Sequence, residues 1–192
     1  MIRNTLLFCL VGLSLLWAES VEFNTNGTDY EMGATLHTRI DAATNGHITL
    51  GYMQSDDEFD TRQKLLFLDA MALGKKPYDR WTFGFGGRLL KGDINHDAGS
   101  GGITAVAAAA QAYFHVPIRR KLYAAISYYY APSFLVVSDH FKGYEEIRIE
   151  LDVALTKQLK GYFGGKNSRL EHKDAGSYEL SNAGFVGLKY LF

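Results

Sequence analysis

The chain has 192 residues, and its 20 basic and 21 acidic residues nearly cancel. This balance argues against a surface built for nucleic acid, and a single cysteine excludes both a disulfide framework and a thiolate metal site within the chain. The 20 glycines, 12 tyrosines and 12 phenylalanines suit strands and tight turns better than helices. The composition therefore predicts one all-β domain.

The N-terminus has the pattern of a secretory signal peptide. Arg3 supplies the positive charge, residues 6–16 form an apolar run, and Ala18 is a small residue at the expected cleavage position. The run is shorter than the about 20 residues that a transmembrane helix needs. An uncleaved anchor or a lipoprotein is the alternative, but the only cysteine follows a poor lipobox. We expect a signal peptide over residues 1–18 and a mature domain over residues 19–192.

Segments that alternate apolar and polar residues follow along the mature chain, and this period of two predicts strands. The apolar sets, in chain order, are Ile48, Leu50 and Tyr52; Trp81, Phe83, Phe85 and Leu89; Leu122, Ala124, Ile126, Tyr128 and Tyr130; Ile147, Ile149, Leu151, Val153 and Leu155; and Val186, Leu188, Tyr190 and Phe192. Each segment has about the 9 to 11 residues that a tilted membrane-spanning strand needs. Residues 63–73 fit the pattern less clearly, because apolar residues occupy both alternating sets.

Alternation alone does not distinguish a soluble sandwich from a membrane barrel, which reverses the two faces. In a barrel, the charged set would face the lumen: Glu31, His37, Arg39, Arg88, Arg148, Glu150, Asp152, Lys160, Lys166 and Lys189. The lipid-facing positions would then be almost free of charge. If the lumen conducts, the expected lining is Arg88, Arg148, Glu150, Asp152, Lys160, Lys166 and Lys189.

The gaps between the predicted strands alternate in length, as they do in bacterial barrels with long outer loops and short periplasmic turns. The gaps over 54–62, 92–102, 132–143 and 171–182 are long, polar or glycine-rich, and those over 41–46, 75–80, 117–120 and 156–158 are shorter. Nine strands follow Thr28, and Val21–Thr25, before the Asn26-Gly27 turn, supplies a tenth. We predict an antiparallel up-and-down transmembrane barrel of about ten strands, with eight as the alternative.

Aromatic residues mark the strand ends. Val186, Leu188, Tyr190 and Phe192 resemble the C-terminal signal that the barrel-assembly machinery receives from outer-membrane proteins. Trp81, Tyr113, Tyr128, Tyr129, Tyr130 and Tyr190 fall near strand ends, where aromatic girdles contact the lipid interface. The partners expected from this pattern are outer-membrane lipid, lipopolysaccharide and, during biogenesis, the assembly machinery.

The mature chain as a whole resembles the YfaZ family of small outer-membrane proteins. The resemblance is carried by the order and spacing of several stretches: Gly27-Thr28-Asp29-Tyr30, residues 51–57, residues 128–132 with Tyr144-Glu145-Glu146 beyond them, and Val186-Gly187-Leu188. It implies an outer-membrane barrel of Gram-negative bacteria, often labelled a porin, with no established substrate and no catalytic residue to transfer. Phe134–Val137 is a departure, since it is unusually apolar for an outer loop.

These observations favour a non-enzymatic barrel that is either structural or a narrow porin-like conduit. A ten-stranded barrel is narrower than an open porin, so the mixed charges of the interior are expected to pair with one another. The alternative is a surface-binding barrel, adhesive or in contact with lipopolysaccharide, that acts through its outer loops. Oligomeric state and any solute stay open.

A barrel hydrolase is a weaker hypothesis. Asp139-His140, with Asp56-Asp57 on another loop, is similar to the acid and histidine pairing of the ten-stranded omptin proteases, but omptins are much longer chains. The acidic cluster of Asp56, Asp57, Glu58 and Asp60 has hard oxygen ligands for a divalent cation but lacks a complete loop motif. We therefore expect no catalytic residue, no metal site and no cofactor.

Overall fold

The computed structural model describes residues 18–56, 61–74, 80–96, 99–116, 122–174 and 176–192. The predicted signal peptide, apart from Ala18, lies outside these residues, as do Asp57, Glu58 and Asp60. In the described part, no helix is long and apolar enough to cross a membrane.

Strands make up nearly all of the described chain. They are β1 (Ser20–Thr25), β2 (Asp29–Arg39), β3 (Thr44–Asp56), β4 (Thr61–Gly74), β5 (Trp81–His96), β6 (Gly99–His115), β7 (Leu122–Ala131), β8 (Val136–Val137), β9 (Phe141–Ala154), β10 (Leu159–His172) and β11 (Gly176–Leu191). A single 3-10 turn, Ser133–Leu135, precedes β8.

The sheet closes on itself. Neighbours in the chain pair antiparallel from β1 to β7, β7 pairs with β9, and the last strand, β11, returns to the first through Ser20 opposite Leu191. The two-residue β8 only adds to the edge of β6 at Thr104 and Ala105. Ten strands therefore form the wall, which confirms the ten-stranded barrel over the eight-stranded alternative. Because the sheet is closed, each strand of the wall pairs with a neighbour on both sides along most of its length, which removes free sheet edges there.

The two faces of the wall are inverted relative to a soluble protein. On β9, Ile147 and Ile149 are 40% and 54% exposed, whereas Arg148 between them is 8% exposed. The same parity exposes Phe83, Phe85, Val186 and Leu188 on the outside. An apolar outer face with charges inside is the arrangement of a membrane-spanning barrel. On β4, the strand with the ambiguous pattern, Leu65, Phe67, Asp69, Met71 and Leu73 are all buried on the inner face.

Two ends of the barrel can be distinguished. At the terminal rim, β1 begins beside the end of β11. At the distal rim lie the β1–β2 turn and the connection between β7 and β9. In bacterial outer-membrane barrels the longer loops are extracellular and the short turns periplasmic, so the orientation predicted from the sequence would place the terminal rim on the periplasmic side.

The long outer loops predicted over 92–102 and 171–182 are wrong in detail, because both are hairpins of paired strand. β5 and β6 stay paired in register up to His96 opposite Gly99. β10 and β11 stay paired up to His172 opposite Gly176, with a shift of register between Ser168 and Arg169. Pairing continues past the lipid-facing stretch because inward side chains such as Ile94, Ile103, Leu170 and Leu180 bury themselves in the lumen. In the described part, only the connection over 132–140 is a long outer segment.

The aromatic girdle is also only partly as predicted. Trp81, Tyr128, Tyr130 and Tyr190 are exposed on the outer face, but Tyr129 is 3% exposed inside the barrel. Tyr113 likewise lines the interior. In three consecutive tyrosines, the middle side chain must point to the opposite face of the strand.

Inward-facing glycines let the strands bend tightly. A Cβ at Gly164 would lie 2.0 Å from the carbonyl oxygen of Ile149, and Gly86 and Gly92 meet the carbonyl oxygens of Ala70 and Lys64 at the same distance. Glycine inside a strand commonly marks such a bend at a barrel corner. These three positions therefore support the curvature that closes a narrow barrel.

We predict that Gly164→Ala destabilises the barrel by about 1–3 kcal/mol, because the added methyl group meets backbone that must shift. The matched control is Gly165→Ala, where the nearest atom to the new Cβ is 4.0 Å away, and the expected change is below about 0.5 kcal/mol. Urea unfolding in lipid vesicles, followed by Trp81 fluorescence, measures both. Equal unfolding midpoints would contradict the bending role.

Candidate functional site: the barrel lumen

The distal half of the lumen is filled by apolar side chains, which we call the distal plug. Its members come from strands all around the wall and are at most 3% exposed: Met53, Leu65, Leu90, Ile94, Ile103, Phe141, Leu170 and Leu180. The side-chain amide of Gln63 donates across the lumen to the carbonyl oxygen of Leu180 at 3.3 Å. The plug therefore excludes water from the distal half and ties β4 to β11.

The connection over 132–140, which we call the strap, closes the wall beside the plug. Val136 packs against the plug, and the Ser138 hydroxyl donates to the carbonyl oxygen of Gly102 at 2.8 Å. The ammonium of Lys173 donates to the carbonyl oxygen of Ser138, also at 2.8 Å. The apolar stretch Phe134–Val137, unusual for an outer loop, thus divides: Val136 packs against the plug, whereas Phe134 is 81% exposed.

Arg88 organises a first charged network below the plug. Its guanidinium donates two hydrogen bonds to Asp69, at 2.7 and 2.9 Å, and one to Glu146 at 3.1 Å. The same group lies over the ring of Tyr129 at 3.7 Å and over that of Phe67 at 4.6 Å. Arg88 is 3% exposed, so both its charge and its donors are satisfied by protein groups that span from β4 to β9.

Arg148 organises a second network towards the terminal rim. Its guanidinium donates to Glu31 at 2.7 Å and also to Glu150, and it lies 4.5 Å from the centre of the Phe185 ring. Lys166 donates to the second oxygen of Glu31 at 3.4 Å. Because Glu31 lies on β2 and Arg148 on β9, this network also crosses the lumen.

A polar cavity lies between these networks and the terminal rim. Its volume is about 80 Å³, and Glu22, Gln111, Tyr113 and Ser127 are among its lining residues. This is several times the roughly 10–15 Å³ that a cavity needs to hold one water, so it has room for a few water molecules. Lys189 also lines it and donates to Glu22 at 3.1 Å. We call this cavity the chamber.

The structure brings together most of the side chains that the sequence placed in the lumen. Arg88, Arg148, Glu150 and Lys189 line the cavity, and Lys166 joins the second network. Lys160 lies over the ring of Tyr123 at 5.5 Å. Asp152 and Lys160 are not among the cavity residues, because both lie closer to the terminal rim. That these side chains line a conducting path stays a prediction.

Sequence reasoning missed three members of the lumen networks. Glu146 continues the inward parity of Arg148 and Glu150, so extending the alternation by one step would have found it. Tyr144, whose hydroxyl donates to Glu146 at 2.7 Å, extends the same parity by one more step. Tyr129 was assigned to the aromatic girdle, although alternation with the outward Tyr128 and Tyr130 predicts that its side chain faces inward.

The predicted acid and histidine pair is not assembled in the described part. His140 lies beside His172, with ring centroids 6.1 Å apart, and there its imidazole has no hydrogen bond to a carboxylate from Asp139 or another described residue. The side chain of Asp56 and all of Asp57 lie outside that part. Within it, no group of three or more His, Cys, Asp or Glu residues could hold a metal ion.

We predict that Arg88→Ala lowers the free energy of unfolding by about 3–5 kcal/mol, because it leaves Asp69 and Glu146 buried without their cation. The control is Arg169→Ala, since Arg169 pairs with Glu179 at 3.5 Å on the exposed outer face, where a pair is worth about 1 kcal/mol or less. Urea titrations in the same vesicles measure both losses. Similar small losses in the two variants would contradict the central role of Arg88.

Comparisons with solved structures return β-barrels of low sequence identity. The KdgM porin is 10% identical over 90% of this chain and 99% of its own, with a TM-score of 0.43. The NanC porin is 11% identical with the same coverage and TM-score. The translocator domain of the autotransporter NalP from Neisseria meningitidis is 16% identical over 90% of this chain and 86% of its own, with a TM-score of 0.37.

The comparison with curated protein sequences found no match. The family model described as YfaZ precursor, in contrast, matches residues 2–192, which is essentially the whole chain. The chain therefore belongs to the YfaZ family.

Proposed function

We propose that this protein is a structural outer-membrane barrel whose lumen does not conduct solutes at rest. The observation that carries the proposal is the distal plug. Inward side chains such as Leu65, Leu90 and Ile103 are at most 2% exposed, so solvent does not reach them in the distal half of the lumen. A path for ions needs water or polar ligands along its whole length.

The outer-membrane location is part of the same proposal. Support comes from the apolar outer face, the membership of the YfaZ precursor family and the outward positions of Val186, Leu188, Tyr190 and Phe192. Val186, Leu188 and Tyr190 lie on the outer face of β11, the last strand of the wall, and Phe192 follows its end. We propose that the barrel-assembly machinery recognises them before β11 pairs with β1.

A gated conduit is the second candidate. The chamber at the terminal rim favours it, because Glu22, Glu150 and Lys189 are 20%, 23% and 24% exposed in their side chains. Such a chamber would become a passage only if the distal plug moved. Opening would cost the burial of at least eight apolar side chains, each worth about 1.5–3 kcal/mol, unless a partner compensates for it.

We predict no conductance steps from the refolded mature protein in planar bilayers, because the plug leaves no water-filled path. Heat-modifiable gel mobility shows that the inserted protein is folded, and a general porin in the same bilayers shows that the assay detects a channel. Discrete steps with an ion selectivity that changes in Arg148→Ala and Glu150→Ala would instead establish the charged conduit.

We further predict that a charged methanethiosulfonate reagent distinguishes the two halves of the lumen. Thr49 lines the polar cavity, whereas Ala105 is 0% exposed in the distal half. The thiol of Thr49→Cys should therefore react at least about a hundredfold faster than that of Ala105→Cys, because the thiolate must meet the reagent in water. Mass spectrometry of protein in detergent follows both rates. Comparable rates would mean that the distal half is open to solvent.

A further inference from the structure

A groove lies on the outer face near the distal rim. β7 ends at Ala131, opposite Tyr144, while β9, β10 and β11 continue beyond that point. The wall therefore has a step, where the chain turns away at Pro132 and Ser133. Gly143 has no side chain to fill the step. The resulting groove has a volume of about 240 Å³.

The groove combines one aromatic ring with several polar groups. Tyr130, which is 48% exposed, lies at its lower edge. Glu145, Arg169 and Glu171 lie along one side, and Ser133 and Ser177 add hydroxyl groups. Carboxylates accept hydrogen bonds, guanidinium donates them and hydroxyls do both. This set suits a neutral, hydroxyl-rich ring that packs one face against an aromatic side chain.

The polar groups of the groove are only loosely engaged. Glu145 accepts a hydrogen bond from the Tyr128 hydroxyl at 2.9 Å, Arg169 pairs with Glu179 at 3.5 Å, and Glu171 pairs with Lys142 at 3.5 Å. Exposed ion pairs of this length contribute about 0–1 kcal/mol. A ligand can therefore exchange with them at small cost, in contrast to the buried networks around Arg88 and Arg148.

The groove sits at the boundary of the apolar belt. Going along β9 towards the distal rim, the outward side chains change from Ile149 and Ile147 to Glu145 and then Gly143. Tyr128 and Tyr130 accompany this change on β7. In the outer leaflet, that height meets the saccharide part of the surface glycolipid, just above its acyl chains.

We propose that this groove binds a saccharide unit of the outer-leaflet glycolipid. The inference rests on the outer-membrane location proposed above, but not on a closed lumen. Pockets for drug-sized ligands have volumes of roughly 300–1,000 Å³, so the groove accommodates one or two sugar rings rather than a chain. Tyr130 stacks on a ring face, while Glu145, Arg169 and Glu171 exchange hydrogen bonds with its hydroxyls.

The test uses the refolded mature protein in detergent and, as probe, lipid-free core oligosaccharide released from lipopolysaccharide by mild acid. Titration calorimetry measures binding to the wild type and to Gly143→Val, whose added side chain enters the groove and meets the Glu171 carboxylate, 3.0 Å from the new Cβ. The matched control is Gly165→Val, an outward glycine on β10 with no atom closer than 4.0 Å to its Cβ. We expect binding to the wild type and to the control, and binding about tenfold weaker or worse in Gly143→Val.

A second variant keeps the proposal testable if Gly143→Val misfolds. Arg169→Gln preserves the size of the side chain and removes the guanidinium donors, so it should weaken binding while heat-modifiable mobility is unchanged. No binding to the wild type, or equal binding by both glycine variants, would overturn the proposal. Competition by inorganic phosphate alone would also overturn it, because it would reduce the groove to an anion contact at Arg169.

The outcome is independent of the conductance experiment. A conducting barrel that binds the oligosaccharide would refute the closed lumen and leave the groove intact. A silent barrel that does not bind it would refute the groove alone. Loss of outer-membrane location in cell fractionation would remove the source of the glycan, although the binding itself would still be measurable in detergent.

Discussion

The constraint on which the structure depends is that charges excluded from the outer face must be paired inside. A lipid-facing charge is costly at mid-membrane depth, so the alternating pattern sends Arg88 and Arg148 inward. There, each guanidinium would be equally costly without partners. The barrel meets this demand with carboxylates from distant strands: Asp69 and Glu146 for Arg88, and Glu31 and Glu150 for Arg148. The exclusion of charge from the outer face thus explains both why the inward charges pair across the lumen and why their side chains fill it.

The interior has a gradient from apolar to polar along its axis. Towards the distal rim, aliphatic and aromatic residues occupy many of the inward positions, and a few uncharged polar residues such as Ser55, Gln63 and Ser168 are buried among them. The hairpins extend beyond the lipid-facing stretch because these residues bury one another. Towards the terminal rim, the inward positions are Glu22, Asp152, Lys160 and Lys189, which need water or weak pairing. The two arginine networks lie between these two parts of the lumen, where the side chains are charged and almost completely buried.

The outer face shows a corresponding change at the distal rim. Below it, the outward side chains of β7 and β9 are apolar, as lipid requires. Above it, Glu145, Arg169 and Glu171 form loose pairs that suit a polar, sugar-rich layer. The step at Ala131 and the missing side chain of Gly143 turn this change of chemistry into a concave surface. A barrel with a filled lumen can still have a binding role of this kind, because binding at its outer face needs no passage through it.

The sequence by itself predicted the fold class and the assignment of most charged residues to the lumen, and it favoured ten strands while leaving eight as the alternative. Alternation with period two fixes which side chains share a face. A charged side chain is then expected on the lumen face, because contact with lipid is costly for a charge. It did not determine the length of the hairpins over 92–102 and 171–182, because glycine-rich polar segments are compatible with both loop and strand. Nor did it show whether Leu65 and Phe67 or Leu66 and Leu68 face inward, since both sets are apolar.

Only the tertiary structure decided which charges meet and whether the lumen is closed. Partners such as Glu31 and Arg148 are 117 residues apart, and their approach depends on the register and tilt of strands on opposite sides of the ring. The plug has the same origin, because its eight members come from seven different strands that no local pattern connects. The groove beside Gly143 depends on where β7 ends relative to β9, and that is set by pairing rather than by composition.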